Sequence, residues 1–250
     1  MRLKIKYNST SQIFDDINIR EKIGEGKSGL IYKISDNYVI KILKNGNRFE
    51  YDFYNNFLET LKEDIISLKI GLPLCYGRLL NNFNDFTMKN KFLIFKKYKK
   101  LELKNIKGNN DIERILSLIF NLLKVKKYLE KKIKYVNLDI KANNIMLDEN
   151  NNIKVIDLGL IKKFTKGDMF YSYSDYIIWP NAKCYLDSVP LYSTFIVICM
   201  LHFSDRFIQE NNTMKLLKIL NIKYKNNKLN KILNLLIKKK YDSQYVLNYF

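Results

Sequence analysis

A chain of 250 residues with 47% hydrophobic side chains carries enough apolar material for a core, which excludes wholesale disorder, and its length suits one large domain or two small lobes. The formal charge of +19 is spread along the chain as lysine, with only short runs such as Lys96-Lys97 with Lys99-Lys100, and Lys238 to Lys240. This reads first as a solvated lysine-rich surface; attraction to nucleic acid, an anionic membrane or an acidic protein segment stays open, although no zinc pattern, nucleic-acid motif or arginine-rich arm accompanies it.

Three cysteines, Cys75, Cys184 and Cys199, are widely spaced and form no CxxC. A reducing compartment, the cytoplasm, is the simpler expectation. Met1 to Lys6 has no apolar signal-peptide core. The longest apolar stretch, Val189 to Phe203, is shorter than the roughly 20 residues a bilayer span needs. Ser193, Thr194 and His202 interrupt it, so it reads as a buried helix and no membrane span is expected.

In chain order, Ile17 to Tyr38 reads as strand, glycine loop, strand and a turn at Ser35-Asp36-Asn37, followed by the apolar run Tyr38-Val39-Ile40. A helix follows with Phe49, Phe53, Phe57, Leu58 and Leu61 on one face. Strands are expected around Leu74 to Leu80 and Phe92 to Phe95, separated by a polar loop at Asn81 to Asn90. From Asp111 the period becomes helical, with Asn110 or Asp111 as N-cap and Ile112, Ile115, Leu116, Ile119, Leu122, Leu123, Leu129 and Ile133 on the inner face. A hairpin is expected at Ile145-Met146-Leu147 and Ile153 to Ile156, and helices from about residue 187. The lone histidine, His202, has no partner pattern for a metal and reads as structural.

Four motifs carry chemistry. Gly24-Glu25-Gly26-Lys27-Ser28-Gly29 has the form G-x-G-x-x-G, whose bare backbone can approach phosphate oxygens. A strand follows it, which favours a phosphate-covering lid over a dinucleotide fold. Val39-Ile40-Lys41 puts a lysine at the end of an apolar strand. Asp139-Ile140-Lys141-Ala142-Asn143-Asn144 has the form D-x-K-x-x-N and runs into an apolar strand. Asp157-Leu158-Gly159 closes the next one. Asp139 can orient an attacking hydroxyl and accept its proton, Lys141 can neutralise phosphate charge, and Asn144 and Asp157 can offer oxygens to a metal ion.

In this order the motifs resemble the eukaryotic-type Ser/Thr protein kinases across nearly the whole chain. Phe49-Glu50-Tyr51-Asp52-Phe53-Tyr54 and the D-I-K-A-x-N stretch are similar to the casein-kinase-one and vaccinia-related branch, with a poxvirus-like viral kinase as the preferred neighbour. The Lys-, Asn- and Ile-rich composition of an AT-rich genome is in keeping with this, and a viral kinase would work in the host cytoplasm. The resemblance implies an α+β, two-lobed fold in a single domain over 1–250: a β-rich N-lobe to about residue 95, a hinge at 96–100 and an α-helical C-lobe from 101. It implies ATP and Mg²⁺ as cofactors and a protein substrate, acidic if the basic surface selects it. It implies that Glu50, with Glu59 as fallback, pairs with Lys41. Gly24, Gly26 and Gly29 would cover the phosphates, Ile31 and Val39 the top of adenine, and Met146 its underside. Phe95 would be the gatekeeper, with backbone groups of Lys96 and Tyr98 at the adenine edge.

The chain departs from that family in places. Asn137-Leu138 stands where the family has His-Arg, which removes the partner of a phosphorylated activation loop, so activity independent of loop phosphorylation is expected, with Tyr171, Ser172 and Tyr173 as ordinary loop residues. Trp179-Pro180-Asn181 replaces A-P-E, no Arg lies near Lys238 to Ser243, and Asp187 is a candidate for the central-helix Asp. Three functional classes remain: an active kinase, a pseudokinase that binds nucleotide or a partner without turnover, and a small-molecule phosphotransferase.

Overall fold

The computed structural model describes residues 2–7, 16–26, 28–44, 48–64, 69–87, 89–165, 169–170, 184–185, 189–238 and 243–250. The expectations placed on Lys27, Tyr171 to Tyr173, Trp179 to Asn181, Asp187, Lys239 and Lys240 lie outside these residues. The chain forms two compact units, Met1–Tyr98 with Ile156–Leu160, and Lys99–Val155 with Ile161–Phe250. The first is mostly sheet and the second mostly helix, so the α+β expectation holds.

The first unit is an antiparallel sheet of seven strands: β1 (Arg2–Tyr7), β2 (Asp16–Asn18), β3 (Glu21–Glu25), β4 (Gly29–Lys33), β5 (Tyr38–Leu43), β6 (Cys75–Leu79) and β7 (Lys91–Lys96). Their order is β2-β1-β6-β7-β5-β4-β3. β1 was not anticipated; it pairs with β2 at Leu3↔Ile17 and with β6 at Ile5↔Leu79. One sheet face is core: Tyr32, Ile40, Ile42, Phe92 and Ile94 pack with Ile17, Ile19, Cys75 and Leu79. The expected polar loop is tied to this core. Phe83 and Phe86 are buried and exchange backbone hydrogen bonds of 2.9 and 2.8 Å, and the Phe83 ring meets Tyr32 edge-on. Asn90, also buried, donates through Nδ2 to the Leu43 carbonyl at 2.7 Å.

Between β5 and β6 lies helix α1 (Phe49–Lys62), with Glu50 and Asp52 in the first turn and Lys62 in the last, as the helix dipole favours. Of the expected inner face, Phe53, Leu58 and Leu61 are buried as anticipated and Phe49 is not. Phe49 is 67% exposed, and the buried stripe is Glu50, Tyr51, Phe53, Tyr54, Leu58 and Leu61. The stripe turns toward Glu50 because that carboxylate is bonded inside the unit, as described below.

The second unit is built on α2 (Asp111–Tyr128), α3 (Val189–His202), α4 (Asp205–Glu210), α5 (Thr213–Tyr224), α6 (Asn227–Ile237) and α7 (Ser243–Leu247). The α2 start is a reciprocal cap: Asn110 Oδ1 accepts from the Glu113 N–H at 3.0 Å and Glu113 Oε2 accepts from the Asn109 N–H at 2.8 Å. α2 leads into a wider π turn, Leu129–Ile133, which ends at Lys134 in the left-handed region (φ 63°). Every residue of α3 from Val189 to Cys199 is buried, among Ile115, Ile119 and Leu123 of α2 and Leu229, Ile232 and Leu233 of α6. That all-round burial is the physical content of the apolar run, and no described helix is long and apolar enough to cross a membrane. Small antiparallel pairs complete the unit: β8 (Lys99–Lys100) and β11 (Ile153–Val155) flank β10 (Ile145–Leu147), β9 (Tyr135–Asn137) pairs with β12 (Ile161–Lys163), and β13 (Met169–Phe170) pairs with β14 (Cys184–Tyr185).

His202 is structural, as expected. Its Nδ1 meets the Ile198 carbonyl at 2.7 Å and its Nε2 meets the Tyr224 hydroxyl. Burial holds the ring below its ordinary value, against the pull of the Ile198 carbonyl. A depressed histidine favours the neutral ring in the fold, so its stabilisation is complete above the unfolded pKa of about 6.5 and is lost as pH falls through the folded one. Urea unfolding at about pH 7.5 and about pH 5.5 is expected to show a loss in the wild type that shrinks in His202→Gln.

Candidate active site

The first unit gathers a three-residue charge cluster on the sheet face opposite its core. Directly opposed residues of antiparallel strands share a face, as do alternate residues of one strand. Lys41 opposes Ile31 of β4 and Leu93 of β7, and Val39 opposes Phe95. Val39 and Lys41 therefore share a face with Ile31 and Phe95, while Ile40 and Ile42 between them turn to the core. The Lys41 ammonium is 5% exposed and donates to Glu50 Oε2 at 2.6 Å and to Asp157 Oδ1 at 2.8 Å. Glu50, not the fallback Glu59, is its helix partner; Glu59 accepts instead from Lys62 at the surface.

The electrostatics follow from burial. Lys41 loses hydration, which lowers its pKa, but the charges of Glu50 and Asp157 outweigh that loss and hold it above its ordinary value. Glu50 is fully buried, and desolvation pushes its carboxyl up against the opposing pull of Lys41. The Tyr54 hydroxyl, one turn along α1, donates to the Gly71 carbonyl at 3.3 Å, and its ring packs edge-on to Phe95 at 6.2 Å. Tyr54 thus backs both Glu50 and the expected gatekeeper, a role the helical pattern did not reveal.

Asp157 adopts the left-handed region (φ 58°), uncommon for a residue with a side chain. Lys41 and the Gly159 N–H, which donates to Asp157 Oδ1 at 3.2 Å, hold it there. A Cβ at Gly159 would stand 2.9 Å from that oxygen, so the glycine lets the carboxylate fold back over the turn. In the glycine loop, a Cβ at Gly29 would reach 2.4 Å from the Ile42 carbonyl, so Gly29 is required by the close approach of β4 to β5. Gly26 faces open space and Gly24 meets only ordinary contacts with Ile31. The Gly26 N–H donates to the Gly29 carbonyl at 2.9 Å, and Glu25 accepts from Lys22 at 2.6 Å and Lys44 at 2.9 Å. Those lysines, Lys22 first, hold the Glu25 carboxyl down to about 2. Lys96 is exposed and pairs with Tyr38 across β5, and Tyr98 is half-buried.

The second unit gathers the D-x-K-x-x-N residues around Asp139. Asp139 Oδ2 accepts from Lys141 Nζ at 2.9 Å and from Asn144 Nδ2 at 2.7 Å, and the same Nδ2 lies 3.0 Å from the Asp139 carbonyl. Asn144 is buried in a short 3-10 turn, Ala142–Asn144. Its amino group serves Asp139, so its remaining polar atom is the oxygen. Asn137, at the place of the family's His, is 3% exposed and accepts the Asp139 N–H on Oδ1 at 3.0 Å. Met146 sits half-buried on β10, opposite Lys100 and Lys154. Among the described residues no cluster of three or more His, Cys, Asp or Glu could hold a metal by itself.

The structure thus brings Lys41, Glu50 and Asp157 together in one unit, with Ile31, Val39 and Phe95 on the same sheet face, and Asp139, Lys141 and Asn144 together in the other. Two sets of variants test these contacts. Lys41→Met leaves a buried carboxylate without its cation and is expected to lower unfolding free energy by about 3 kcal/mol, whereas Lys41→Met with Glu50→Leu is expected to lose less than the single variant. Asn137→Leu strips the acceptor from the Asp139 N–H and is expected to cost about 1–3 kcal/mol. Denaturant titration by circular dichroism checks each.

The chain is 29% identical over 214 residues to the serine/threonine-protein kinase pakH of Dictyostelium discoideum, covering 79% of this chain and 39% of that protein. It is 28% identical over 170 residues to the cyclin-dependent kinase-like 1 of Caenorhabditis elegans, covering 62% and 43%. A putative serine/threonine-protein kinase of Helianthus annuus is 27% identical over 173 residues, covering 64% and 69%. The chain spans less than half the length of the first two relatives. Residues 17–179 match the model of the protein tyrosine and serine/threonine kinase family, and since that stretch is well over half of the chain and holds both charge clusters, the chain belongs to that family.

Proposed function

We propose that residues 1–250 form one protein kinase domain that transfers the γ-phosphate of ATP to Ser or Thr hydroxyls of a protein. The observation that carries this reading is the buried Lys41 ammonium, fixed by two carboxylates on the sheet face that it shares with the apolar Ile31, Val39 and Phe95. A desolvated cation held this rigidly is suited to a phosphate group and is costly to keep for packing alone. In this reading Lys41 binds the α- and β-phosphates, the open space at Gly26 lets the backbone approach them, and Ile31 and Val39 cover adenine. Phe95 closes the back of that pocket, and the backbone of Lys96 and Tyr98 meets the base edge.

Each unit holds a hard-oxygen donor of the kind Mg²⁺ takes, Asp157 in the first and Asn144, whose amino group is already committed, in the second. Bound Mg²⁺ supplies positive charge against the phosphate oxygens. Asp139, oriented by Asn137, Asn144 and Lys141, positions the substrate hydroxyl and accepts its proton. With Leu138 at the place of the family's Arg, no cation precedes Asp139 to read a phosphorylated loop, so turnover does not require loop phosphorylation. Exposed Lys162 and Lys163 of β12, paired with Val136 and Tyr135 just before Asp139, support a preference for acidic substrate segments over nucleic acid. Phe49 to Tyr54 and D-I-K-A-x-N support the casein-kinase-one and vaccinia-related branch, and the free buried thiols of Cys75 and Cys199 fit work in the cytoplasm.

A second reading, a nucleotide-binding module without turnover, is favoured by one observation: the Asp157 carboxylate is already engaged by Lys41. Transfer of radiolabelled phosphate from ATP to casein separates the two. Turnover is expected in the wild type and unchanged after phosphatase treatment. Asp139→Asn and Asp157→Asn are expected to fall by about 10²-fold or more. ATP binding without transfer, in the wild type and Asp139→Asn alike, would sink the first reading.

A further inference from the structure

The helical unit carries a groove that none of the proposed phosphate-transfer residues uses. It has a volume of about 640 Å³ and is lined by Met214, Leu217, Lys218, Asn221, Ile222 and Lys225 of the α5 segment and by Asn234 of α6. On α5 these residues fall at i, i+3, i+4, i+7, i+8 and i+11, which is one face of one helix. Leu217 is buried beneath that face, but Met214 is 63% exposed and Ile222 is 60% exposed. An isolated exposed apolar residue needs no explanation; two at the two ends of one groove make an apolar strip ready for a partner.

The charge around the strip is of one sign. Residues 211–238 hold seven lysines and no Asp or Glu, although the whole chain has 25 acidic residues. Lys218 and Lys225 lie in the groove itself, and neither has a carboxylate partner among the described residues. Lys104 with Glu102 and Arg114 with Asp111 show lysine and arginine of the same unit paired locally. The side-chain amides of Asn221 and Asn234 add polar groups between the apolar ends and the lysines.

From this complementarity we propose that the α5 groove docks an amphipathic segment of another protein that presents two apolar side chains about two helical turns apart, flanked by acidic residues. The apolar ends would seat against Met214 and Ile222, and Lys218 and Lys225 would meet the carboxylates. Nucleic acid is the poorer match, because a polyanion gains from lysines but not from desolvating a methionine and an isoleucine. The groove lies within a single unit, and docking needs no phosphate transfer, so this inference stands or falls separately from the kinase reading.

Fluorescence anisotropy with no nucleotide present tests it. The probe is a fluorescein-labelled helical peptide of leucines at i and i+7 in a glutamate-rich background, compared with the same peptide with the leucines replaced by alanine, with its glutamates replaced by lysine, and with a single-stranded DNA of similar charge. The leucine–glutamate peptide is expected to bind best. Met214→Asp with Ile222→Asp, and separately Lys218→Glu with Lys225→Glu, are each expected to weaken it at least tenfold while far-UV circular dichroism is unchanged. Added salt is expected to weaken binding to the wild type and to leave Lys218→Glu with Lys225→Glu nearly unaffected. Binding weaker than about 1 mM, equal binding of the alanine peptide or the DNA, or wild-type affinity in both double variants would overturn the proposal.

Discussion

One buried cation organises the first unit. Lys41 cannot be buried on β5 without compensation, because stripping water from an ammonium costs several kcal/mol. Glu50 and Asp157 supply that compensation at 2.6 and 2.8 Å. Much else follows. Helix α1 must turn Glu50 inward, which rotates Phe49 out into solvent. Asp157 takes a left-handed backbone to aim its carboxylate, which folds back close to the bare Gly159. Gly29 must be bare for β4 to lie close enough to β5 that Ile31 stands opposite Lys41. Ile156–Leu160, far along the chain, belongs to the sheet unit and brings Asp157 to Lys41.

The two-residue period of β5 divides labour cleanly. Ile40 and Ile42 hold the sheet to its core, and Val39 and Lys41 are left free of that task. In the helical unit the division is made by a loop. Asp139 is oriented by three neighbours, Asn137, Lys141 and Asn144, all within five residues of it. Replacing the family's His by Asn137 is therefore not an empty loss, since the amide takes over the local hydrogen bond to the backbone of Asp139. No corresponding substitute for the family's Arg precedes Asp139, where Leu138 stands.

Much of this was legible in the sequence where chemistry is local. The strand–glycine loop–strand order, the D-x-K-x-x-N spacing, the apolar run of α3 and the Asn110 cap each encode their structure within a few residues. The Lys41–Glu50 contact was legible only through family resemblance. What the pattern missed was long-range. The inner face of α1 was right at Phe53, Leu58 and Leu61 but missed Glu50, Tyr51 and Tyr54, because aromatic spacing from Phe49 is helical too and the ion pair turns Glu50 inward. The loop Asn81 to Asn90 reads as polar, yet Phe83, Phe86 and Asn90 fasten it to Tyr32 and Leu43, contacts that no local rule supplies. β1 carries an alternating Leu3, Ile5, Tyr7 pattern that could have marked it, but its partners lie in β2 and β6. The one-sided α5 groove could not be seen at all, because helical spacing marks Met214 and Ile222 as core candidates until packing shows them exposed.

In the proposed function the Lys41–Glu50–Asp157 cluster is a nucleotide–metal site and not merely a structural ion pair. Thermal unfolding with ATP and Mg²⁺, each alone and together, tests it most directly. At a ligand excess of a hundredfold over Kd, stabilisation should approach about 2.7 kcal/mol, should need nucleotide and metal together, and should vanish in Lys41→Met and Asp157→Asn. An equal shift in the wild type and both variants, or none in the wild type, would contradict the account.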